Sequence, residues 1–334
     1  MATIYEVAER AGVSLSTVSR VINGRKSVNQ VMREKVERAM AELDYRPNSM
    51  ARSLASNRTD SIGLLVSELN TPFFGEMMKA VESTLRAANK HVIITVGNHE
   101  LAQEKDGVDF LFSRNCDALI MHVEALTDSA LRHINEQQLP VALVNRVVEG
   151  MESACMVLDN EQGGYLATRH LIDLGHRNIA YITGPVDKAD AQERLAGHQR
   201  ALKEAGVSPD PALVYQGDYT EEAGKAGFNH LLATNRPFTA LVCANDWAAS
   251  GAIGAARDAG VTMPGELSIV GFDDVHFAHH ILPRLTTVRN PIFEMGEMAA
   301  RHILREVYKK PESVQNRFTP ELIVRDSTCP PNST

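Results

Sequence analysis

The sequence carries no excess of positive charge that would announce a nucleic-acid partner. Its 34 lysines and arginines face 42 aspartates and glutamates, a formal net charge of −8 over 334 residues, and a total of that sign points away from DNA. No apolar run approaches the ~20 residues that span a bilayer. The opening stretch MATIYEVAERAGVS has no secretory apolar segment, so a cytoplasmic protein with no membrane partner is expected. Cysteine is scarce: Cys116, Cys155, Cys243 and Cys329 lie far apart without a CxxC pair, which argues against a disulfide scaffold and a structural zinc. Phosphate-loop, dinucleotide, H-E-x-x-H and G-x-S-x-G signatures are also missing, so no enzyme and no cofactor is expected. His276, His279 and His280 cluster without a second ligand group at a telling spacing and read as surface and loop histidines.

What is present is ordinary globular material, 44% hydrophobic and 23% charged, with a hidden division of charge. Residues 1–59 hold ten bases against six acids, a net of +4, which leaves −12 for residues 60–334. A small basic head precedes a large acidic body with enough chain for two lobes.

The head reads as three short helices. Thr3 and Glu6 have capping-box spacing, Ile4, Val7, Ala8 and Ala11 form one apolar stripe, and Gly12 stops the helix. Ser14 can cap a second helix that buries Val18, Val21 and Ile22 and leaves Leu15, Ser16, Thr17, Ser19 and Arg20 outside. A third begins near Asn29 and buries Val36, Ala39, Met40 and Leu43. Two helices joined by a glycine turn, with short polar side chains outside the second, are the parts of a helix-turn-helix. The pattern alone also fits a small three-helix bundle with a solvated face. Pro47 ends the third helix and Asn48 can cap a further one of about two turns, too short to be stable unless something packs on it.

From Ser61 onward short apolar runs alternate with helical stretches, the pattern of parallel sheets with covered faces. Strands are expected at 62–67, 92–96, 118–122 and 141–145, and a second series at 154–158, 179–183, 213–216, 241–244 and 267–271. Ligands in such folds gather where strands end. Those positions carry Asn70 to Phe74, Asn98-His99, Asn145-Arg146, Asn245-Asp246-Trp247 and Phe272-Asp273-Asp274, amides, carboxylates and aromatics suited to a small polyhydroxylated ligand. Asn70 or Asp246 could instead cap the helix that follows.

The run from Thr3 to Asn23 resembles the amino-terminal signature of the lactose/galactose repressor family, and 45–55 resembles its hinge. In the body Asn70 to Phe74, Leu166 to Ile172, Gly175-His176, Arg194 to Gly197, Asn245-Asp246, Gly271 to Asp274 and Leu285 to Val288 stand at family positions, and 72–82 and 263–275 are closest to the galactose branch. The resemblance implies an N-terminal all-α helix-turn-helix domain followed by a two-lobed, doubly wound α/β core like periplasmic sugar-binding proteins. Boundaries are expected at 1–46 for the DNA-binding domain, 47–58 for the hinge helix and linker and 59–334 for the core.

The same resemblance implies residue roles. DNA contacts fall to Thr3, Ser14, Leu15, Ser16, Thr17, Ser19, Arg20 and Asn23 in the head and to Asn48, Arg52 and Leu54 in the hinge, with Leu54 as a minor-groove wedge unless it only covers the core. Effector contacts fall to Asn70, Phe73, Asn145, Arg194, Tyr219, Asn245 and Asp273. Asn145 stands where a relative has an acid, and Arg194 could be an ordinary ion-pair residue. The expected function is transcriptional repression at a palindromic operator by a homodimer controlled by a small, galactose-like sugar. The tail from Asp326 lacks the leucine heptads of a tetramer. The rival readings are a sugar-binding or transport-related protein with no DNA role and a sugar-converting enzyme.

Overall fold

In a computed structural model, residues 2–22, 28–45, 58–137 and 139–332 are described, and the chain divides into two compact units at Asp60/Ser61. In the first unit Thr3 caps α1 (Ile4–Ala11), its hydroxyl accepting from the Glu6 N–H at 3.3 Å while Glu6 Oε2 accepts from the Thr3 N–H at 2.6 Å. Gly12 ends that helix at φ 62°, a left-handed conformation that glycine enters without steric penalty. Helix α2 (Leu15–Ile22) follows after the Ser14 cap, and Asn29 caps α3 (Gln30–Glu42). Val7, Val18 and Val36, one from each helix, are fully buried together. The hinge positions Asn48, Arg52 and Leu54, and Asn23 beyond α2, lie outside the described residues.

The second unit contains two six-stranded sheets. The first joins β1 (Ser61–Val66), β2 (His91–Val96), β3 (Ala118–Met121), β4 (Val141–Val144), β5 (Cys155–Leu158) and β11 (Arg317–Phe318) in the order β11-β5-β4-β3-β1-β2. The second joins β6 (Ile179–Ile182), β7 (Val214–Tyr215), β8 (Ala240–Cys243), β9 (Ser268–Asp273), β10 (Thr286–Arg289) and β12 (Glu321–Ile323) in the order β12-β10-β9-β8-β6-β7. Every pairing is parallel except β10 with β12. The central runs ALIM, VALV and ALVC are buried throughout, as strands covered on both faces require.

Expected and observed strands coincide within one to two residues, with one correction. The 154–158 strand was expected to open the second lobe, yet β5 pairs with β4 through Leu143↔Cys155 and Val144↔Met156. The chain therefore changes lobe after β5, a choice of sheet partner that alternation along the chain does not encode. β10, β11 and β12 were not anticipated; two of them are only two or three residues long.

Each sheet reverses direction at its first strand: β1 lies between β2 and β3, and β6 between β7 and β8. The carboxyl ends at these two reversals flank the crevice where α/β folds bind ligands. Helices α4 (Pro72–Ala87), α5 (Leu101–Ser113) and α6 (Asp128–Glu136) follow strands of the first lobe, and α11 (Ile292–Tyr308) returns to pack on α4. In the second lobe α7 (Asn160–Asp173) packs on α8 (Ala189–Glu204), and α9 (Glu221–Ala233) on α10 (Asp246–Asp258). A Cβ added at Gly164 of α7 would lie 1.9 Å from the Arg194 carbonyl oxygen on α8. Only glycine permits that approach, which fixes the backbone from which Arg194 projects.

Candidate functional site

On the head, Leu15, Ser16 and Arg20 are exposed along α2, with Thr17 and Ser19 half-buried beside them. Ser14 Oγ lies 2.9 Å from both Ser16 Oγ and Thr17 Oγ1, a row of hydroxyls at the start of the helix. The Thr3 hydroxyl is occupied by its capping box. Tyr5, outside the expected set, leaves 70% of its surface exposed.

In the body, one cavity of about 320 Å³ is lined by Asn70, Phe73, Asn145, Arg194, Tyr219, Asn245 and Asp273, all seven expected effector positions. Its volume falls at the lower end for small-ligand sites. Thr71, not Asn70, caps α4. Asn245 caps α10, its Oδ1 accepting from the Ala248 N–H at 2.9 Å while its Nδ2 donates to the Tyr219 carbonyl at 2.8 Å. Asp246 is tied into the lobe instead, accepting from the Thr287 hydroxyl at 2.6 Å and the Val275 N–H at 2.9 Å.

Arg194 is only 3% exposed and not a surface ion-pair residue. Its guanidinium stacks 3.7 Å from the Phe272 ring centroid and donates to Asn160 Oδ1 at 2.9 Å and the Ala244 carbonyl at 2.6 Å. Nη2 lies 3.8 Å from Asp190 Oδ2 and 3.9 Å from Asp273 Oδ1, between two carboxylates without closing a hydrogen bond on either. Burial pushes the Asp273 carboxyl up to about 6, with Arg194 and the Asn290 amide pulling the other way.

Asn145, Tyr219 and Asp273 have φ of 61°, 73° and 110°. Non-glycine residues held there store backbone strain, which clusters at ligand sites. Tyr219 lies against Gly184, where an added Cβ would sit 2.2 Å from its ring. Among the described residues, three buried side-chain polar atoms lack a partner: Tyr219 Oη, Trp247 Nε1 and Asn290 Oδ1. The first two belong to cavity-lining residues.

A charged bridge joins the two lobes along the cavity lining. Lys188, ahead of α8, reaches Glu124 Oε2 at 2.8 Å, and Glu124 takes the His99 ring at 2.7 Å. The other His99 nitrogen meets Glu68 at 2.9 Å. Two carboxylates on one imidazole favour the imidazolium: the Glu124 hydrogen bond raises the His99 pKa, opposed by burial and by Lys188. Burial works against the Glu124 carboxylate, but His99 and Lys188 outweigh it and hold its pKa down to about 2. Buried Glu104 of α5 shapes the loop, accepting the N–H groups of Glu124 at 2.8 Å and Leu126 at 2.7 Å. Asn145 Nδ2 reaches Asp190 Oδ2 at 3.5 Å, a second link between lobes.

Sequence reasoning did not select His99, His122, Glu124, Lys188, Asp190 or Trp247 for the site. His99 and Trp247 stood in the strand-end segments and were passed over; Lys188 and Asp190 stand at the start of α8, which no strand-end signal marked.

A chain of Escherichia coli (strain K12), the HTH-type transcriptional regulator GalR, is 40% identical over 99% of this chain and 97% of its own length. The chain belongs to the lacI family of bacterial regulatory proteins. The model of that family matches residues 3–48, and one for a periplasmic binding protein-like domain matches 168–328. As a family member the chain is a sequence-specific DNA-binding transcriptional regulator. The lac repressor dimer bound to operator and the anti-inducer ONPF superimposes with a TM-score of 0.87, at 28% identity over 98% of this chain and 99% of that one. The CelR–cellobiose complex matches with a TM-score of 0.72, at 32% identity over 98% of this chain and 100% of that one. Among the described residues no helix is long and apolar enough to cross a membrane.

Proposed function

We propose that this regulator is a repressor of sugar-use genes that binds a palindromic operator as a homodimer and is released by a small neutral sugar of galactoside type. Residues 1–46 read the major groove with Ser14 to Arg20, 47–58 form the hinge, and 59–334 bind effector and dimerise. A chain that works on DNA by this mechanism works in the cytoplasm.

The observation that carries the effector reading is the cavity, where an Arg194 nitrogen stands unspent between Asp190 and Asp273 beside two buried, unpartnered donors. Hydroxyls that both donate and accept would satisfy all of them. Seven acids line the cavity against two fixed cations, Lys188 and Arg194, both facing carboxylates, an arrangement that disfavours sugar acids and sugar phosphates. Control follows by linkage: an effector that favours one arrangement of the lobes, coupled by ~1–3 kcal/mol to the hinges, changes operator affinity about 5- to 150-fold.

The test is fluorescence anisotropy of the full-length protein on a duplex selected from a random pool, titrated with galactosides, glucosides and pentoses. Operator affinity should fall steeply with salt through counterion release, and a neutral sugar should release the duplex where uronates and sugar phosphates do not. Salt-independent binding would overturn the DNA reading. Release by the anions alone would overturn the neutral-sugar reading.

A further inference from the structure

We propose that Trp247 determines effector specificity by donating its indole N–H to an acceptor oxygen of a neutral glycoside. This rests on the sugar reading above and adds to it the residue that selects among sugars.

Trp247 occupies the first turn of α10, immediately after the Asn245 cap. That turn is held firmly: a Cβ added at Gly224 of α9 would lie 2.0 Å from the Ala248 carbonyl oxygen. The ring is braced edge-on against Phe277, with centroids 5.3 Å apart and planes at 71°. The ring lines the cavity, and its nitrogen, held in place by that packing, is buried from solvent with no hydrogen-bond partner. An indole N–H can only donate, and leaving it buried and unspent is unfavourable. Phenylalanine would supply an aromatic surface at no such cost, so the nitrogen is explained by an acceptor that arrives with the ligand.

The opposite wall defines what else that ligand carries. Ser67 Oγ lies 3.3 Å from the His122 carbonyl oxygen, to which it can only donate, and 3.0 Å from His122 Nδ1. Both contacts are satisfied together when Ser67 donates to the carbonyl and the Nδ1–H donates to Oγ. Burial lowers the His122 pKa and keeps the ring neutral. In that tautomer Nε2 is an acceptor, in a side chain that lines the cavity. The second lobe offers donors in Trp247 and Tyr219, and the first offers an acceptor in His122. A hydroxylated ring with both O–H groups and ring or glycosidic oxygens answers both walls, whereas a ligand bearing only acceptors fails at His122.

Trp247 is the only tryptophan of the chain, so intrinsic fluorescence reads this residue alone. The full-length protein is titrated with the neutral sugar panel by calorimetry and by tryptophan emission in parallel. The expected result is an emission change that saturates with the calorimetric Kd. Trp247→Phe should weaken the preferred glycoside about tenfold, the scale of one lost buried hydrogen bond, and flatten the ranking across the panel. Heat of binding with unmoved emission overturns the proposal without touching the sugar reading. So does an unaltered ranking in a Trp247→Phe protein that melts like the parent. Should no neutral sugar bind the unmodified chain, the sugar reading falls first and this inference with it.

Discussion

The two lobes of the body share a strand order and face the same cavity, yet they equip it differently. The second lobe supplies Arg194, Tyr219, Asn245, Trp247 and Asp273, polar groups locked by helix packing and left with unspent capacity. The first supplies aromatic surface, with Phe73 and Phe74 edge-on at 5.2 Å and His122 4.9 Å from Phe74, and the charged pair His99–Glu124. A repeated scaffold thus holds unequal work: the second lobe carries most of the polar recognition, and the first adds His122, Asn70 and Asn145 to an aromatic cover. Fixed, partly satisfied polar groups discriminate among hydroxyl patterns, whereas apolar surface contributes affinity with little selectivity.

Asp273→Ala is the hardest blow to that division. It removes a buried carboxylate and leaves Arg194 facing Asp190 alone, so effector affinity should drop on the order of 100-fold, with operator affinity retained. Calorimetry and anisotropy on the same preparation read both quantities, and equal losses would mean that Asp273 holds the lobe together rather than the ligand.

Phe73→Ala should cost less, about tenfold, and should weaken all sugars of a panel alike because a lost apolar face does not discriminate. A loss larger than that of Asp273→Ala, or one confined to a single sugar, would show that recognition is shared evenly between the lobes after all.

How far the sequence announced this arrangement differs by element. The head was legible to the residue: Thr3, Glu6 and Gly12 are local signals, and a short helix is set by its own caps and stripe. The strands were legible as apolar runs, and their ends marked Asn70, Asn145, Asn245 and Asp273 because switch points in α/β folds lie there. Which sheet β5 joins was not legible, since both candidate neighbours are apolar strands and the deciding contacts are tertiary. Nor was the Lys188–Glu124–His99 bridge, whose members lie up to 89 residues apart and carry no periodicity. Trp247 was visible at a strand end, but only the absence of a partner for its nitrogen in three dimensions separates it from a core aromatic.

The smallest expected effect concerns the bridge and shows in pH. His99 faces Glu68 and Glu124 on one side and Lys188 on the other, and its pKa is raised above the ordinary 6.5. A raised value in the bridged state means that protonation favours the bridge. Its contribution is complete below the ordinary histidine value and fades as pH rises through the raised one. Glu124, held down at about 2, stays ionised across that window and contributes no slope. Asp273 acts in the opposite sense: pushed up to about 6, it becomes the stronger acceptor of ligand hydroxyls once ionised, so binding strengthens as pH rises through about 6. The two limbs make effector affinity a shallow bell. His99→Gln should erase the alkaline limb and leave the acid one, because the first belongs to the bridge and the second to Asp273. A variant that keeps both limbs would remove the bridge from the account of closure.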